Sequence, residues 1–183
     1  MNNKLWLFIA ALLYSGGLGL GLVTPASIAN LLFEDNAALK ELADTLALLP
    51  QSSVVVVIFI KNVSALLISF VLSPIFCLIP VIALIVNGWL LGAVAVTVIQ
   101  EKSLIYLLAG VVPHGIFELP AFIIGEAVAL SFGTAVVLAV FIEKRRSLLL
   151  SNLKHSLRYL VVAFILLLPA AIIETYVTPL FLR

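Results

Sequence analysis

The chain has 183 residues, of which 64% are hydrophobic and only 10% are charged, and its net charge is +1. Its mean hydropathy of +1.30 is far above that of soluble domains, and its apolar runs are long enough to cross a bilayer. This composition predicts an all-α, polytopic membrane helix bundle forming one transmembrane domain over residues 1–183. It excludes nucleic-acid binding, which needs a concentrated basic surface, and we expect no separate soluble catalytic domain.

The first span is predicted over residues 5–23, directly after Lys4. Gly17 and Gly21 stand four residues apart in it, a spacing of small residues that lets another helix come close. The same spacing recurs in the third span at Gly88 and Gly92. We interpret these glycines as helix-packing positions inside the bundle, and homodimerisation is the alternative.

Residues 24–51 form the longest polar connection, in which four acidic side chains and one lysine give a net charge of −3. From Asn36, a residue suited to an N-cap, leucine and alanine recur at helical spacing until Pro50 ends the pattern. The pattern predicts a short amphipathic helix over residues 36–49, lying at the membrane interface or over the bundle.

The second span is predicted over residues 52–72 and the third over 75–98, joined by a tight turn at Ser73 and Pro74. Polar side chains lie well inside both spans. Lys61 and Asn62 stand near the middle of the second span, and Asn87 stands inside the third.

The fourth apolar stretch, residues 104–142, is too long for one simple span, because a continuous helix would measure about 58 Å, nearly twice the hydrocarbon thickness. Pro113 and Pro120 disfavour helical conformation in the residues that precede them. We therefore predict a broken or re-entrant fourth segment, with a turn near residue 113 at which Pro113, Gly115 and Pro120 are the helix-break residues.

Residues 143–158 contain five basic side chains and are predicted to be a solvated loop, with His155 at its surface. The positive-inside rule places this segment in the cytoplasm. The last span, residues 159–177, carries Glu174 near its end. Five crossings put the N-terminus in the cytoplasm and the C-terminus and the acidic connection outside, and a six-span arrangement is the alternative.

Counting residues from each predicted boundary puts most of the intramembrane polar groups about 14 to 15 Å below the same membrane surface, with Glu174 about 5 Å below it. Ionisable groups in lipid tend to face the protein interior and to have partners. We predict a single buried polar network that contains Lys61, Asn62, Asn87, His114, Glu118 and Glu174.

Within this network His114 and Glu118 share a helical face, and Lys61 is the expected counter-ion of Glu118 or Glu174. A structural network and a functional polar pocket both fit this pattern. Glu126 lies about 80° round the helix from Glu118, so we do not expect it to join. Glu118→Ala is therefore expected to destabilise the protein more than Glu126→Ala, because it would leave a buried cation unpaired.

Four ordered motifs carry a resemblance to a known family: KN at 61–62, NGWLLG at 87–92, PHGIFELPA at 113–121 and IIETYVTP at 172–179. Together they resemble the stage II sporulation protein M family of integral membrane proteins. In endospore formers, the namesake of this family anchors partner proteins that cut peptidoglycan in the engulfment complex. The resemblance implies a cell-membrane scaffold or assembly component whose partners are lipid and other membrane or extracytoplasmic proteins, with homo-oligomerisation as a further expectation.

The alternative function is a membrane subunit of a transporter, channel or ABC-type exporter, because a broken helix with polar groups near mid-membrane is typical of substrate sites. We do not expect an enzyme, a bound metal or a cofactor. Zinc proteases need an HExxH motif and a third ligand, whereas His114 and Glu118 stand in HGIFE. A serine protease would need a nucleophile beside a histidine base, and Ser15 has no such sequence context.

Overall fold

The computed structural model describes residues 3–25 and 49–182, so the predicted amphipathic helix over 36–49 lies outside the described residues except for Leu49. In the described ranges there is no strand, and five helices are long and apolar enough to cross a membrane. This confirms the prediction of an all-α bundle with five spans for this part of the chain. The five are α1 (Asn3–Leu22), α2 (Gln51–Leu72), α3 (Leu78–Glu101), α4 (Leu104–Phe141) and α5 (Leu149–Tyr176).

Helix α4 is the centre of the bundle and contacts every other long helix. One hydrophobic cluster joins α4 to α2 and α5 and includes Leu66 and Leu160. A second cluster joins α4 to α1 and α3 and includes Ala10 and Leu84. The buried residues of α4 are mostly small, and small side chains allow neighbouring helices to approach its backbone closely.

Helices α1 and α3 pack in parallel through four glycines, with backbone against backbone. A Cβ atom on Gly17 would overlap the carbonyl oxygen of Ile85, and one on Gly21 would overlap that of Trp89. Conversely, a Cβ on Gly88 would overlap the carbonyl of Tyr14, and one on Gly92 would overlap the carbonyl of Leu18. The structure therefore brings both predicted glycine pairs to a single contact inside the protein.

The connection between α2 and α3 is longer than the predicted two-residue turn and occupies residues 73–77. Phe76 and Cys77 adopt left-handed backbone conformations, with φ of 50° and 56°. The Ser73 hydroxyl donates to the carbonyl of Phe70 at 2.8 Å, and the Cys77 sulfur lies 3.4 Å from the carbonyl oxygen of Leu130. The Ser73 contact closes the end of α2, whereas the Cys77 contact links the turn to α4, where Gly133 leaves room for the Ser73 backbone.

Helix α4 is continuous from Leu104 to Phe141, so the predicted break near residue 113 is wrong. Each proline removes only its own N–H donor, which leaves the carbonyls of Ala109 and Ile116 without their intrahelical partners. A complete break would leave many more backbone groups unpaired in an apolar medium, where each costs several kcal/mol. Retaining the helix through Pro113 and Pro120 is therefore the less costly arrangement.

The basic segment is helical, not a loop. A 3-10 helix covers Glu143–Leu148, and α5 then begins at Leu149, well before the predicted start of the last span at residue 159. Lysine and arginine are good helix formers, so the helix can continue past the apolar span. His155 is half-buried, not superficial, and its ring centroid lies 4.9 Å from that of Tyr159.

The alternating directions of the helices define two ends of the bundle. One end, which we call the basic end, holds Lys4, the turn at 73–77 and residues 143–158. The opposite end holds the start of α2 at Gln51 and a short helix α6 (Thr178–Phe181) that follows α5 and packs on α4.

Replacing Gly21 by valine should lower the melting temperature of the detergent-solubilised protein, because the branched side chain would force α1 and α3 apart. Overpacking of this kind costs about 1 to 3 kcal/mol. Gly19→Val is the matched control, since it lies on the same helix with open space around it. Equal melting temperatures for the two variants would contradict the observed α1–α3 contact.

Candidate functional site

A polar cavity of about 290 Å³ lies between α2 and α3 over the central helix α4. Its apolar lining includes Leu119 and Phe122 of α4 and Leu167 of α5. Its polar lining comes from four helices that are distant in sequence. The polar lining residues are Tyr14, Lys61, Asn62, Asn87, His114 and Glu118.

Glu118 is the centre of the hydrogen bonds at the floor of the polar cavity. The Asn62 side-chain amide donates to Glu118 Oε1 at 3.2 Å, across the α2–α4 contact. His114 lies one turn earlier on α4, and its Nε2 is 3.6 Å from Glu118 Oε2. Both oxygens of the Glu118 carboxylate therefore face a polar neighbour.

Glu174 and Thr178 reach the same place from α5 and α6. One ligand atom each from His114, Glu118 and Glu174 can be chosen so that all three lie within 4.8 Å of one another. On the other side of the imidazole, His114 Nδ1 lies 3.3 Å from the hydroxyl of the buried Thr178. The imidazole is thus held between the carboxylates and a hydroxyl group.

Lys61 and Asn87 line the polar cavity but are exposed, so the prediction that they are buried is wrong. Lys61 forms no ion pair with any residue in the described part of the chain, although it is close enough to Glu174 for their charges to interact. Asn87 donates to the carbonyl of Ala83 in its own helix at 2.8 Å. Helices α2 and α3 make few contacts beyond the turn at 73–77, which leaves these mid-helix side chains uncovered.

Gly115 also lines the polar cavity and is buried, but the helix does not turn there. A Cβ atom at this position would meet only the side chain of Val111, at 3.6 Å. Its small size leaves space in front of His114 and Glu118 and does not serve a break in α4.

Comparison with known proteins identifies the family of this chain. A model of the stage II sporulation protein M family matches residues 5–179, which is nearly the whole chain. The chain belongs to this family. With its five long apolar helices, this member of the stage II sporulation protein M family is a multi-pass membrane protein.

One curated relative of this family member is an uncharacterized protein of Methanocaldococcus jannaschii. The two are 32% identical over 102 residues, which cover 54% of this chain and 56% of the relative. The matched region therefore spans about half the length of this curated relative. No solved structure matches the chain.

A second carboxyl group on α4 of this family member, that of Glu126, was not expected from the sequence to join the polar network. It lies two turns from Glu118 towards the basic end and is only 1% exposed. The Ser69 hydroxyl donates to Glu126 Oε2 at 2.5 Å. The sequence signal that could have revealed this pair is the seven-residue spacing of Asn62 and Ser69, which places both polar side chains on the face of α2 that contacts α4.

The structure reverses the expected order of stability for the two carboxyl groups. Glu126→Ala should lower the free energy of unfolding by about 2 to 4 kcal/mol, because it removes the hydrogen bond to Ser69 and leaves a void in the core. Glu118→Ala should cost less, because the Glu118 side chain is 33% exposed at an open cavity.

Thermal unfolding of the two variants in the same detergent measures this order. Glu101→Ala, at the exposed end of α3, is the control for loss of a carboxylate without loss of buried contacts. A larger loss for Glu118→Ala than for Glu126→Ala would contradict the assignment of Glu126 to the core.

Proposed function

We propose that this protein is a membrane scaffold, an assembly component of a multiprotein complex, and that a transmembrane segment of a partner protein docks over the polar cavity. The main support is the exposure of Lys61 and Asn87 midway along α2 and α3. A lysine placed in hydrocarbon costs about 2.5 to 3.5 kcal/mol on insertion scales. A partner helix that covers these two side chains would remove much of that cost.

The surroundings of the opening also suit a transmembrane partner. Exposed apolar side chains adjoin both polar residues in sequence, with Ile60 before Lys61 and Val86 before Asn87. An apolar helix that carries one acidic or hydrogen-bonding side chain would match this surface, because polar groups link helices in lipid. The complex-assembly role that the sequence motifs imply for this family agrees with such a partner.

The proposed orientation follows from the basic segment at residues 143–158, which the positive-inside rule assigns to the cytoplasm. The N-terminus then lies in the cytoplasm and the C-terminus lies outside. In this orientation the polar cavity lies in the half of the bilayer that faces away from the cytoplasm, so the partner would extend into the extracytoplasmic space.

The proposal includes the expectation that the chain itself is not an enzyme. Ser15 lies on the exposed side of α1, and Cys77 lies at the basic end of the bundle beside Leu130. Neither residue lines the polar cavity that contains His114. The chemistry of a complex built on this scaffold would then belong to the partners.

A membrane subunit of a transporter is the second candidate function, favoured by the volume of the polar cavity and by its charged lining from several helices. Transporters bind substrates near mid-membrane at sites of this kind. Purification from native membranes separates the two functions. An ATPase that co-purifies favours transport, whereas a wall-directed or secreted partner favours the scaffold.

A photo-crosslinking residue at Asn87 should form an adduct with another protein in native membranes, because the proposed partner lies directly over this position. The matched control is the same residue at Ile165, which is 64% exposed on α5 and lies away from the polar cavity. Denaturing gels followed by mass spectrometry identify the adducts.

Two outcomes would overturn the docking proposal. One is crosslinking to lipid alone at position 87, which would mean that the opening faces the bilayer. The other is an adduct with twice the mass of the chain, which would assign the opening to a second copy of this protein.

The orientation can be tested with single cysteines in a Cys77→Ala background. Ser52→Cys, at the start of α2, should react with a membrane-impermeant maleimide in intact cells. Ser147→Cys, in the basic segment, should react only after permeabilisation. Both positions are exposed, so accessibility to the reagent does not differ between them within the protein itself. The reverse labelling pattern would invert the proposed topology.

A further inference from the structure

The three side chains that meet beside the polar cavity, one imidazole and two carboxylates, form a set that the scaffold role does not use. An imidazole nitrogen and one carboxylate come from α4, and the second carboxylate comes from α5. We propose that His114, Glu118 and Glu174 bind a divalent transition-metal ion, with Zn²⁺ as the best match. This inference does not depend on the scaffold proposal.

The distances among the donors are close to those of a zinc site. Zinc binds histidine nitrogen and carboxylate oxygen at about 2.0 to 2.2 Å, which places neighbouring tetrahedral ligands about 3.4 Å apart. His114 Nε2 and Glu118 Oε2 are 3.6 Å apart. One donor atom each from His114, Glu118 and Glu174 can be chosen so that no two of them lie more than 4.8 Å apart.

The contacts behind these donors favour metal binding independently of the donor distances. A proton on His114 Nδ1 can be donated to the Thr178 hydroxyl, which leaves the lone pair of Nε2 directed at the carboxylates. Asn62 holds Glu118 Oε1 and leaves Oε2 free for an ion. Outer contacts of this kind fix the tautomer and the orientation of metal ligands in proteins.

The negative charge of the two carboxylates also favours binding of a cation. Glu118 and Glu174 bring two carboxylates close together inside a lipid-embedded bundle, and Lys61 forms an ion pair with neither of them in the described part of the chain. A divalent ion would balance both negative charges. Lys61 is exposed at the opening, so its long side chain can extend away from a bound ion.

The donor set also selects the class of metal. Imidazole together with carboxylates suits zinc and similar first-row ions, whereas Ca²⁺ and Mg²⁺ prefer oxygen ligands alone. Three protein ligands leave one tetrahedral position, and this position would face the polar cavity. A water molecule or a donor side chain of a partner could occupy it.

The test uses the full-length protein purified in detergent, stripped with a chelator and titrated with Zn²⁺ or with Co²⁺ as a spectroscopic probe. We expect one ion per chain by mass spectrometry of the metal content, and a tetrahedral Co²⁺ absorption spectrum. Glu118→Gln and Glu174→Gln should each weaken the affinity at least about tenfold. Glu101→Gln, on an exposed carboxyl group, should bind as the wild type does.

A further variant tests the charge balance at the proposed site. Lys61→Met should bind the ion severalfold more tightly, because it removes a competing cation beside the two carboxylates. Size-exclusion profiles and melting temperatures of the metal-free proteins show that each variant is folded.

The proposal would be overturned if the stripped wild type took up no Zn²⁺ or Co²⁺ in the titration. It would also be overturned if folded Glu118→Gln and Glu174→Gln kept the affinity of the wild type. Weaker binding by Lys61→Met would likewise contradict it. None of these results affects the crosslinking test at Asn87, so failure of the metal site and failure of the scaffold role are distinguishable.

Discussion

Close packing on the small residues of α4 is the interaction on which the rest of the structure depends. Ala121, Gly125 and Gly133 leave space in which α2, the turn at 73–77 and α5 lie directly against the central helix. Lipid tails are as apolar as leucine, so burial of apolar side chains does little to bring helices together in a bilayer. Close packing contacts supply much of the helix–helix association instead. They also fix the register that sets Asn62 opposite Glu118 and Ser69 opposite Glu126.

Sequence alone predicted the elements whose physics is local. Apolar length gave the five spans, and residue counting placed polar groups of separate helices at one depth, where they line one polar cavity. Two properties could not be predicted in this way, namely whether Pro113 breaks the helix and whether Lys61 is buried. Whether a proline breaks a helix depends on the backbone partners that the surroundings offer, and whether a lysine is covered depends on how far two helices stand apart. Both are properties of the assembled bundle.

The two carboxyl groups of α4, one buried and one at the open cavity, show how a short distance along one helix changes the surroundings of a glutamate. Glu126 is enclosed by α2 and α4 and has a single hydroxyl partner, which suits a structural role. Glu118 lines the open cavity between α2 and α3 together with the His114 imidazole, and the Glu174 carboxylate lies nearby. The spacing of the neighbouring helices thus decides whether an intramembrane glutamate is enclosed in the core or lines an open cavity.

The length of α4 has a consequence for the membrane in which the protein resides. Its 38 residues extend about 57 Å, whereas the hydrocarbon layer is only about 30 Å thick, and α2 has only 22 residues. Such hydrophobic mismatch within one bundle is relieved by tilting or by local thickening of the bilayer. A thicker bilayer would suit α4 only at the expense of α2, which at about 33 Å already matches the hydrocarbon layer, so α4 is expected to tilt more strongly than α2.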